Sequence, residues 1–131
     1  MAHYLFNFTA GDRQQARALL RAKTWGVARG ERHGDVLAPG DLALIYVEAE
    51  AEFIGRVELA TAARDCEVSL AWVEEWDPGV TMDAVVQRID PTASNPYVQA
   101  NAASGFQAEV VSITADEYEA AVALSREAGS R

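Results

Sequence analysis

The sequence is poor in the residues that build disulfides and metal centres. It contains one cysteine, Cys66, and two histidines, His3 and His33, in 131 residues. A single cysteine cannot form an internal disulfide, and these three side chains cannot complete a tetrahedral zinc site. We therefore expect no metal and no other cofactor. We interpret Cys66 as a small core residue in preference to a nucleophile.

Long hydrophobic runs are also lacking. The longest run, Leu42–Val47, has six residues, whereas a membrane-spanning helix needs roughly 18. The first residues, MAHYLFNFTAGD, have no basic segment ahead of an apolar stretch, as a signal peptide would. These two absences lead us to expect a cytoplasmic protein with no membrane partner. Nothing in the sequence indicates its oligomeric state.

Positive charge is scarce over most of the chain. The formal net charge of −9 argues against a general nucleic-acid binder, because such binding sets Lys and Arg against phosphates. Residues 1–33 nevertheless carry six basic and two acidic side chains, a net +4, whereas the other 98 residues carry five basic and 18 acidic, a net −13. The asymmetry is compatible with a basic face that steers an anionic ligand, and equally with a solvated helix face and loop.

Recognisable catalytic motifs are missing. No serine stands in a nucleophile elbow, and the glycines around Trp25 lack the following lysine and hydroxyl pair of a phosphate-binding loop. The carboxylates lie in mixed acidic runs, which are typical of solvated surfaces. The sequence therefore predicts a binding protein and not an enzyme.

Two helices have clear start signals. Asp12, with Gln15 three positions later, predicts a capped first helix, and Thr114 with Glu117 predicts a capped closing helix. A weaker helical spacing covers Val80–Ile89. One stripe of the first helix carries three arginines at four-residue spacing, namely Arg13, Arg17 and Arg21.

Strands dominate the rest of the chain. Alternating or continuous apolar patterns predict five of them, at His3–Phe8, Leu42–Val47, Phe53–Leu59, Glu67–Glu75 and Phe106–Ile113. Leu42–Tyr46 and Phe53–Val57 form a predicted hairpin, and Gly55 marks a bulge or a close approach in it. A glycine-rich stretch predicts a long loop over Lys23–Gly40, and a proline- and asparagine-rich stretch predicts another over Pro91–Ser104. The pattern predicts one α+β domain over residues 1–131, a small mixed β-barrel with flanking helices.

The tryptophans are the most informative aromatic residues. Trp25 stands in the first predicted loop, next to the basic helix, and has few apolar residues near it in the sequence. Such a residue is either a plug over the barrel end or a stacking surface for a planar ligand. Trp72 and Trp76 lie four apart in a predicted strand, so they share a face and at least one of them is expected in the core.

The order of these motifs resembles the EVE domain, a PUA-like fold related to the YTH domain. The resemblance covers about Tyr4 to Tyr118 and is carried by five short motifs, YLFNFT, TWGVARG, PGDLALIYV, EFIGRVELA and FQAEVVSITADEY. It implies a pocket for one nucleobase, often a modified one, flipped out of DNA or RNA. ASCH domains share the barrel, and some are hydrolases, but the single lysine, Lys23, is not followed by the glutamate of their motif.

The resemblance also implies particular site residues. Trp25 and Trp72 match two cage tryptophans, with Gly26 offering a backbone contact, and Asn7 and Thr9 match the positions that read the base edge. Thr24, Tyr46 and Phe53 complete the predicted base pocket. The predicted phosphate contacts are arginines of the basic segment, namely Arg13, Arg17, Arg29 and Arg32.

A second hypothesis keeps the pocket but changes the ligand. The net charge of −9 disfavours a long polyanion over most of the surface, so a free nucleoside, nucleotide or other planar metabolite is the alternative ligand. A hydrolase that acts through carboxylates not recognised in the sequence is a third and weaker possibility.

Overall fold

The computed structural model describes residues 2–27, 36–89 and 109–129. Arg29, Arg32, His33 and the predicted loop over Pro91–Ser104 lie outside these ranges. So do the first residues of the strand that was predicted over Phe106–Ile113.

The described residues form a curled, mixed six-stranded sheet with helices on its faces. The elements, in chain order, are β1 (His3–Phe8), α1 (Arg13–Arg21), β2 (Thr24–Gly26), β3 (Leu42–Val47), a 3₁₀ turn (Glu48–Glu50), β4 (Glu52–Leu59), β5 (Glu67–Thr81), α2 (Met82–Arg88), β6 (Val110–Ile113) and α3 (Ala115–Gly129). The strand order is β2-β5-β4-β3-β1-β6. Among the strand pairs of the described residues, only β1–β3 is parallel. This half-barrel confirms the predicted α+β, PUA-like fold class.

Both predicted capping boxes are present. The Asp12 carboxylate accepts from the Gln15 backbone N–H at 3.1 Å, and the Gln15 side chain accepts from the Asp12 N–H at 3.0 Å. At the start of α3, the Thr114 hydroxyl accepts from the Glu117 N–H at 3.2 Å, and the Glu117 carboxylate accepts from the Thr114 N–H at 2.8 Å. Each pair satisfies two backbone donors that a helix start leaves open. None of the described helices is long and apolar enough to cross a membrane.

Two apolar cores lie on opposite faces of the sheet. Alternation along β1 sends Tyr4 and Phe6 to the face that α1 covers, and Leu5 to the other face. The α1 core takes Ala16 and Leu20 from the helix. The α2–α3 core is closed by side chains of the two later helices, namely Met82, Val85, Tyr118, Ala121 and Val122.

The β4–β5 pair contains the close approach that Gly55 predicted. Gly55 lies opposite Glu75, and a Cβ atom built on Gly55 would come within 2.4 Å of the Glu74 carbonyl oxygen. Only a residue without a side chain fits there. The strand β5 continues to Thr81, so the first part of Val80–Ile89 is strand and the predicted helix begins only at Met82.

A second irregularity in β5 changes which side chains face which core. Glu58 pairs with Trp72 and Leu59 pairs with Leu70, so Ala71 is an extra residue without a partner on β4. Side chains alternate along a strand, and one extra residue reverses the alternation. Leu70 and Val73 therefore both belong to the α1 core although they are three positions apart. Trp72 falls on the opposite face.

The predicted loop over Lys23–Gly40 is wrong in its first part. Lys23 follows the end of α1 in the left-handed conformation, with φ of 56°, and its carbonyl accepts from the Leu70 N–H at 3.0 Å. Thr24–Gly26 then pair with Ser69, Val68 and Glu67 as an edge strand. Trp25 consequently stands on a strand that β5 holds in place.

Candidate functional site

A hollow of ≈340 Å³ opens where β1 ends, beside β2. Its wall is formed by Asn7–Ala10, Leu19 of α1, Trp25–Val27, Cys66 and Glu109. The volume falls at the lower end of the roughly 300–1,000 Å³ of small-molecule sites. The hollow therefore has room for one small planar group.

Trp25 forms the inner part of this wall. It is 4% exposed, and its indole stacks on Phe6 with ring centroids 6.2 Å apart and planes inclined by 17°. The indole is thus a core side chain with an edge at the hollow, and the expectation of an open stacking surface on Trp25 itself is wrong. A hollow does open beside Trp25, as the predicted pocket requires.

Phe8 presents more aromatic surface to the hollow than Trp25 does. Its ring is half-buried and lies 5.6 Å from the Trp25 ring at an angle of 58°. Strand alternation places Phe8 on the same face as Phe6. A flat ligand in the hollow would meet the Phe8 ring, with Leu19 and Val27 as apolar neighbours.

The polar part of the wall consists of Asn7, Thr9 and Glu109. The Asn7 backbone N–H donates to the Glu109 carbonyl at 2.8 Å, which joins the end of β1 to the start of β6. The Thr9 hydroxyl donates to the Glu109 carboxylate at 3.3 Å. The Asn7 side chain is 2% exposed and donates through Nδ2 to Glu48 Oε1 at 3.4 Å. The two predicted edge-reading residues do line the hollow.

Cys66 stands at the rim of the hollow on a tight turn. Backbone hydrogen bonds of 2.8 and 3.1 Å join Arg64 and Glu67, and the two central residues have positive φ, 53° at Asp65 and 63° at Cys66. These are the torsions of a two-residue hairpin turn. The thiol is exposed, so the interpretation of Cys66 as a core residue is wrong.

A second hollow, of ≈850 Å³, adjoins the same turn. It is lined by Pro39, Ala60–Asp65, Glu67 and Ser69. These side chains include no aromatic residue and belong to exposed loop and strand-end positions. The smaller hollow beside Phe8 is therefore the better candidate for a planar ligand.

Trp72 does not face Trp25. The extra residue Ala71 turns Trp72 to the face of the α2–α3 core, where the Arg56 guanidinium lies 5.3 Å from the centre of the indole. Arg56 also pairs with Glu74 and donates to the Tyr118 hydroxyl at 3.3 Å. This placement corrects the two-tryptophan cage, because neither Trp72 nor Trp76 lines the hollow beside Trp25 in the described structure. Trp76 is a core residue, as expected of one of the two.

Three further members of the predicted base pocket stand elsewhere. Tyr46 and Phe53 are buried in the α2–α3 core, with ring centroids 5.0 Å apart. Burial, reinforced by the carboxylates of Glu48 and Asp83, raises the pKa of the Tyr46 hydroxyl. Thr24 is half-buried beside Ser69 and does not reach the hollow. Gly26 does line it, and a Cβ atom there would meet nothing within 4 Å.

The arginines of α1 have partners within the chain. Arg13 donates to Glu50 and to Glu52, both at 2.7 Å, and the Glu50 bond raises the pKa of its guanidinium. Arg17 donates to the Trp76 carbonyl at 2.8 Å. A helix turns by about 100° per residue, so Arg17 and Leu19 lie about 160° apart around α1. Arg13 and Arg17 thus hold α1 against the β4–β5 region and do not line the hollow, and their predicted phosphate role stays a prediction.

Two of the lining residues that the sequence interpretation left out of the pocket, Phe8 and Glu109, bring an aromatic ring and a charge to the hollow. Phe8 was counted only as an alternating strand residue, although it is the last large apolar side chain before the short segment Thr9–Gly11. Glu109 was hidden in the apolar run over Phe106–Ile113, where it is the only charged residue. An isolated carboxylate in such a run is the signal that could have identified it. No group of three or more metal-binding side chains occurs among residues 2–27, 36–89 and 109–129.

No protein-family model and no curated protein matches the sequence. Solved structures do match. A hypothetical protein from Leishmania major gives a TM-score of 0.74 at 17% identity, over 98% of this chain and 97% of that one. Human THYN1, in complex with 5-methylcytosine-containing DNA, gives 0.65 at 12%, over 95% and 98%. The YTH domain-containing protein mmi1, in complex with RNA, gives 0.52 at 8%, over 96% and 81%. At these identities the likeness is one of fold, and it confirms the EVE- and YTH-related fold that the motifs predicted.

Proposed function

We propose that this domain binds nucleic acid by receiving one base, in particular a modified base, in the hollow beside Phe8. The observation that carries the proposal is the half-buried Phe8 ring, which is backed by Trp25 and flanked by the polar groups of Thr9 and Glu109. The fold shared with a protein solved on methylated DNA and with one solved on RNA supports the same function.

The energetics favour a base over a larger ligand. Stacking one base on an aromatic side chain contributes about 1–3 kcal/mol, and a hollow of ≈340 Å³ leaves little room beyond one ring system. A methyl group on the base adds apolar burial of about 0.8 kcal/mol. Discrimination of a modified base then depends on how closely Leu19 and Val27 contact that methyl group.

Phosphate contacts require cations that the fold leaves available. Arg64 and Lys23 are exposed, and neither forms a salt bridge in the part of the chain that the structure describes. Arg64 lines the adjoining second hollow and stands two residues from Cys66, which is at the rim of the hollow beside Phe8. We propose Arg64 as the nearest phosphate contact, together with Arg29 and Arg32, whose predicted role stays a proposal.

Replacing Phe8 by leucine tests the stacking surface. Leucine keeps much of the apolar contact with Trp25 but removes the aromatic face, so we expect binding of an oligonucleotide with one 5-methylcytosine to weaken roughly tenfold. Affinity is measured by fluorescence anisotropy against the unmodified oligonucleotide. The matched control is Trp72→Leu, which removes a half-buried aromatic on the other face and should leave the dissociation constant unchanged.

The single cysteine shows whether binding occurs in this hollow. Cys66 is exposed at its rim, so a bound base should slow alkylation of the thiol. If the oligonucleotide binds equally to both variants and does not protect Cys66, binding occurs elsewhere and this proposal fails.

The salt bridges of Arg13 predict that this side chain contributes to stability and not to oligonucleotide binding. Arg13→Gln removes two contacts of a partly exposed side chain, so we expect the free energy of unfolding to fall by about 0.5–1 kcal/mol. Oligonucleotide affinity should stay within twofold. Arg64→Gln should behave in the opposite way, with unchanged stability and a smaller dependence of affinity on salt. A loss of affinity in Arg13→Gln alone would support the α1 arginines as phosphate ligands.

A free nucleoside is the second candidate ligand. It is favoured by the engagement of Arg13 and Arg17 with groups of the same chain, which leaves less positive charge for a polyanion. A nucleoside that binds the folded state raises the melting temperature in proportion to the logarithm of its concentration. Stabilisation by nucleosides that equals stabilisation by oligonucleotides would favour this ligand class.

A further inference from the structure

The two hollows are separated by a single tight turn. Cys66 of this turn lines the hollow beside Phe8, whereas Arg64, Asp65 and Glu67 line the second hollow, of ≈850 Å³. The Cα atoms at the two ends of such a turn lie within about 7 Å of each other. Successive phosphates of a stacked strand advance by roughly 3.4 Å along its axis, and a base that leaves the stack lets the strand extend further. One internucleotide step therefore crosses the turn.

The wall of the second hollow offers hydrogen-bond donors. The Thr61 hydroxyl oxygen accepts from the Ser69 backbone N–H at 3.0 Å, so its own proton is left to donate to a ligand. The Ser69 hydroxyl is exposed. The Arg64 guanidinium adds five N–H donors and forms no salt bridge within residues 2–27, 36–89 and 109–129. These groups suit a ligand that is rich in acceptor oxygens, such as a sugar with its phosphate.

Short side chains keep the second hollow open. Three alanines line it beside Pro39, namely Ala60, Ala62 and Ala63. Their methyl groups cover little of the main chain, so a ligand can approach the backbone of this loop closely. The volume of ≈850 Å³ lies within the roughly 300–1,000 Å³ of small-molecule sites. Because its lining side chains include no aromatic ring, this hollow suits the backbone of a nucleotide better than a stacked base.

Arg64 gives the second hollow an attraction for phosphate that the first one lacks. Among the described side chains that line either hollow, Arg64 is the only cation. Its neighbours Asp65 and Glu67 carry the opposite charge and weaken the attraction without removing it, because a guanidinium in direct contact with a phosphate forms charge-assisted hydrogen bonds. A strand whose base lies beside Phe8 is therefore drawn across the turn.

We propose, on the basis of the proposed base-binding function, that the second hollow holds the sugar and phosphate of the nucleotide next to the bound base. The ligand of the domain is then a strand of at least two nucleotides. Phe8 contacts the base, and Arg64, Thr61 and Ser69 bind the neighbouring backbone. The two contacts reinforce each other, because a nucleotide held in one hollow keeps its neighbour at high effective concentration beside the other.

The experiment compares ligands that differ by one nucleotide. They are 5-methyldeoxycytidine and the same nucleoside extended on its 5′ side or on its 3′ side by an abasic nucleotide, which has the sugar and phosphate but no base. We expect one extension to strengthen binding at least roughly tenfold and the other to have little effect. The gain should shrink as salt is added, because it comes from one phosphate. Isothermal titration calorimetry measures the three dissociation constants.

Two variants assign the gain to the second hollow. Ala62→Trp places a large side chain in this hollow from an exposed loop position, so it should abolish the gain and leave nucleoside affinity unchanged. Arg64→Gln should remove most of the gain. Lys23→Gln is the matched control, because it removes an exposed cation that lines neither hollow, and it should preserve the gain. Phe8→Leu should weaken the nucleoside and the extended ligand by the same factor.

Asp65→Asn tests the sign of the electrostatic effect. Asn tolerates the left-handed conformation of this position, where φ is 53°, so the turn is preserved while one negative charge is lost. The extended ligand should bind more tightly to this variant, and the affinity for the nucleoside should change little.

The outcomes separate this inference from the function on which it rests. Equal affinities for the nucleoside and both extended ligands, each with protection of Cys66 from alkylation, would overturn the role of the second hollow and leave the base pocket standing. A gain that persists in both Ala62→Trp and Arg64→Gln would overturn that role as well. If no ligand protects Cys66, the base-binding function itself fails.

Discussion

Gly55→Ala is expected to lower the free energy of unfolding by about 3 kcal/mol or more, a large part of the stability of an ordinary domain. The added Cβ would lie 2.4 Å from the Glu74 carbonyl oxygen and 3.3 Å from the Glu75 Cα. Both are backbone atoms of a strand that is paired to β4. The clash cannot be relieved by rotating a side chain, so β4 and β5 must separate locally. Urea denaturation followed by circular dichroism measures the loss.

Gly26→Ala is the control for this substitution. Gly26 also lies in a strand, but a Cβ atom there meets nothing within 4 Å. We expect its stability to change by less than about 0.5 kcal/mol. Equal free energies of unfolding for the two variants would contradict the close approach of β4 and β5 at Gly55.

Trp25→Ala is expected to lower the free energy of unfolding by about 3–5 kcal/mol, the range for truncating a buried tryptophan. The indole is buried in the α1 core against Phe6, and its removal leaves a cavity between α1, β1 and β2. Loss of ligand binding in this variant would therefore follow from unfolding and would reveal little about stacking. This is why Phe8 is the better probe of the hollow.

The matched substitution is Trp72→Ala. Trp72 is half-buried, and its described interaction is with the Arg56 guanidinium. A contact of this kind contributes about 0.5–1 kcal/mol, so we expect a loss of about 1–2 kcal/mol once the lost burial is included. Denaturant melts of the two proteins give the comparison. A larger loss at Trp72 than at Trp25 would contradict the assignment of Trp25 to the core.

Sequence patterns predicted the parts of the fold that depend on near neighbours. The capping boxes at Asp12 and Thr114 join residues three positions apart, and the alternation in His3–Phe8 follows from the geometry of a single strand. The hairpin of β3 and β4, and the close approach at Gly55, were local enough to be visible as well. The fold class was predicted from the order of the motifs along the chain. No single pattern could have established it.

Sequence patterns were insufficient where distant residues decide the outcome. The cage assignment for Trp72 came from the resemblance, which did not reveal the extra residue at Ala71 that turns Trp72 to the other face of the sheet. The phosphate assignment for Arg13 assumed a free helix face, but its partners, Glu50 and Glu52, come 37 and 39 residues later. Spacing within a segment contains no information about either effect.

The candidate site could be predicted only in part. Asn7, Thr9, Trp25 and Gly26 were proposed from the resemblance, and all four line the hollow. Phe8 was missed because its pattern matches that of an ordinary strand residue. Glu109 reaches the hollow only through the pairing of β6 with β1, which the sequence does not display.

The meeting of β1 and β6 has a consequence for the order of events during folding. The Thr9–Glu109 contact spans 100 positions of the chain, and contacts between such remote segments form slowly because the entropy cost of closing a long loop comes first. The mouth of the hollow is therefore complete only after the first and last strands have joined. A partly folded chain without this strand pair would lack the mouth of the hollow. Ligand binding would therefore show that the domain has finished folding.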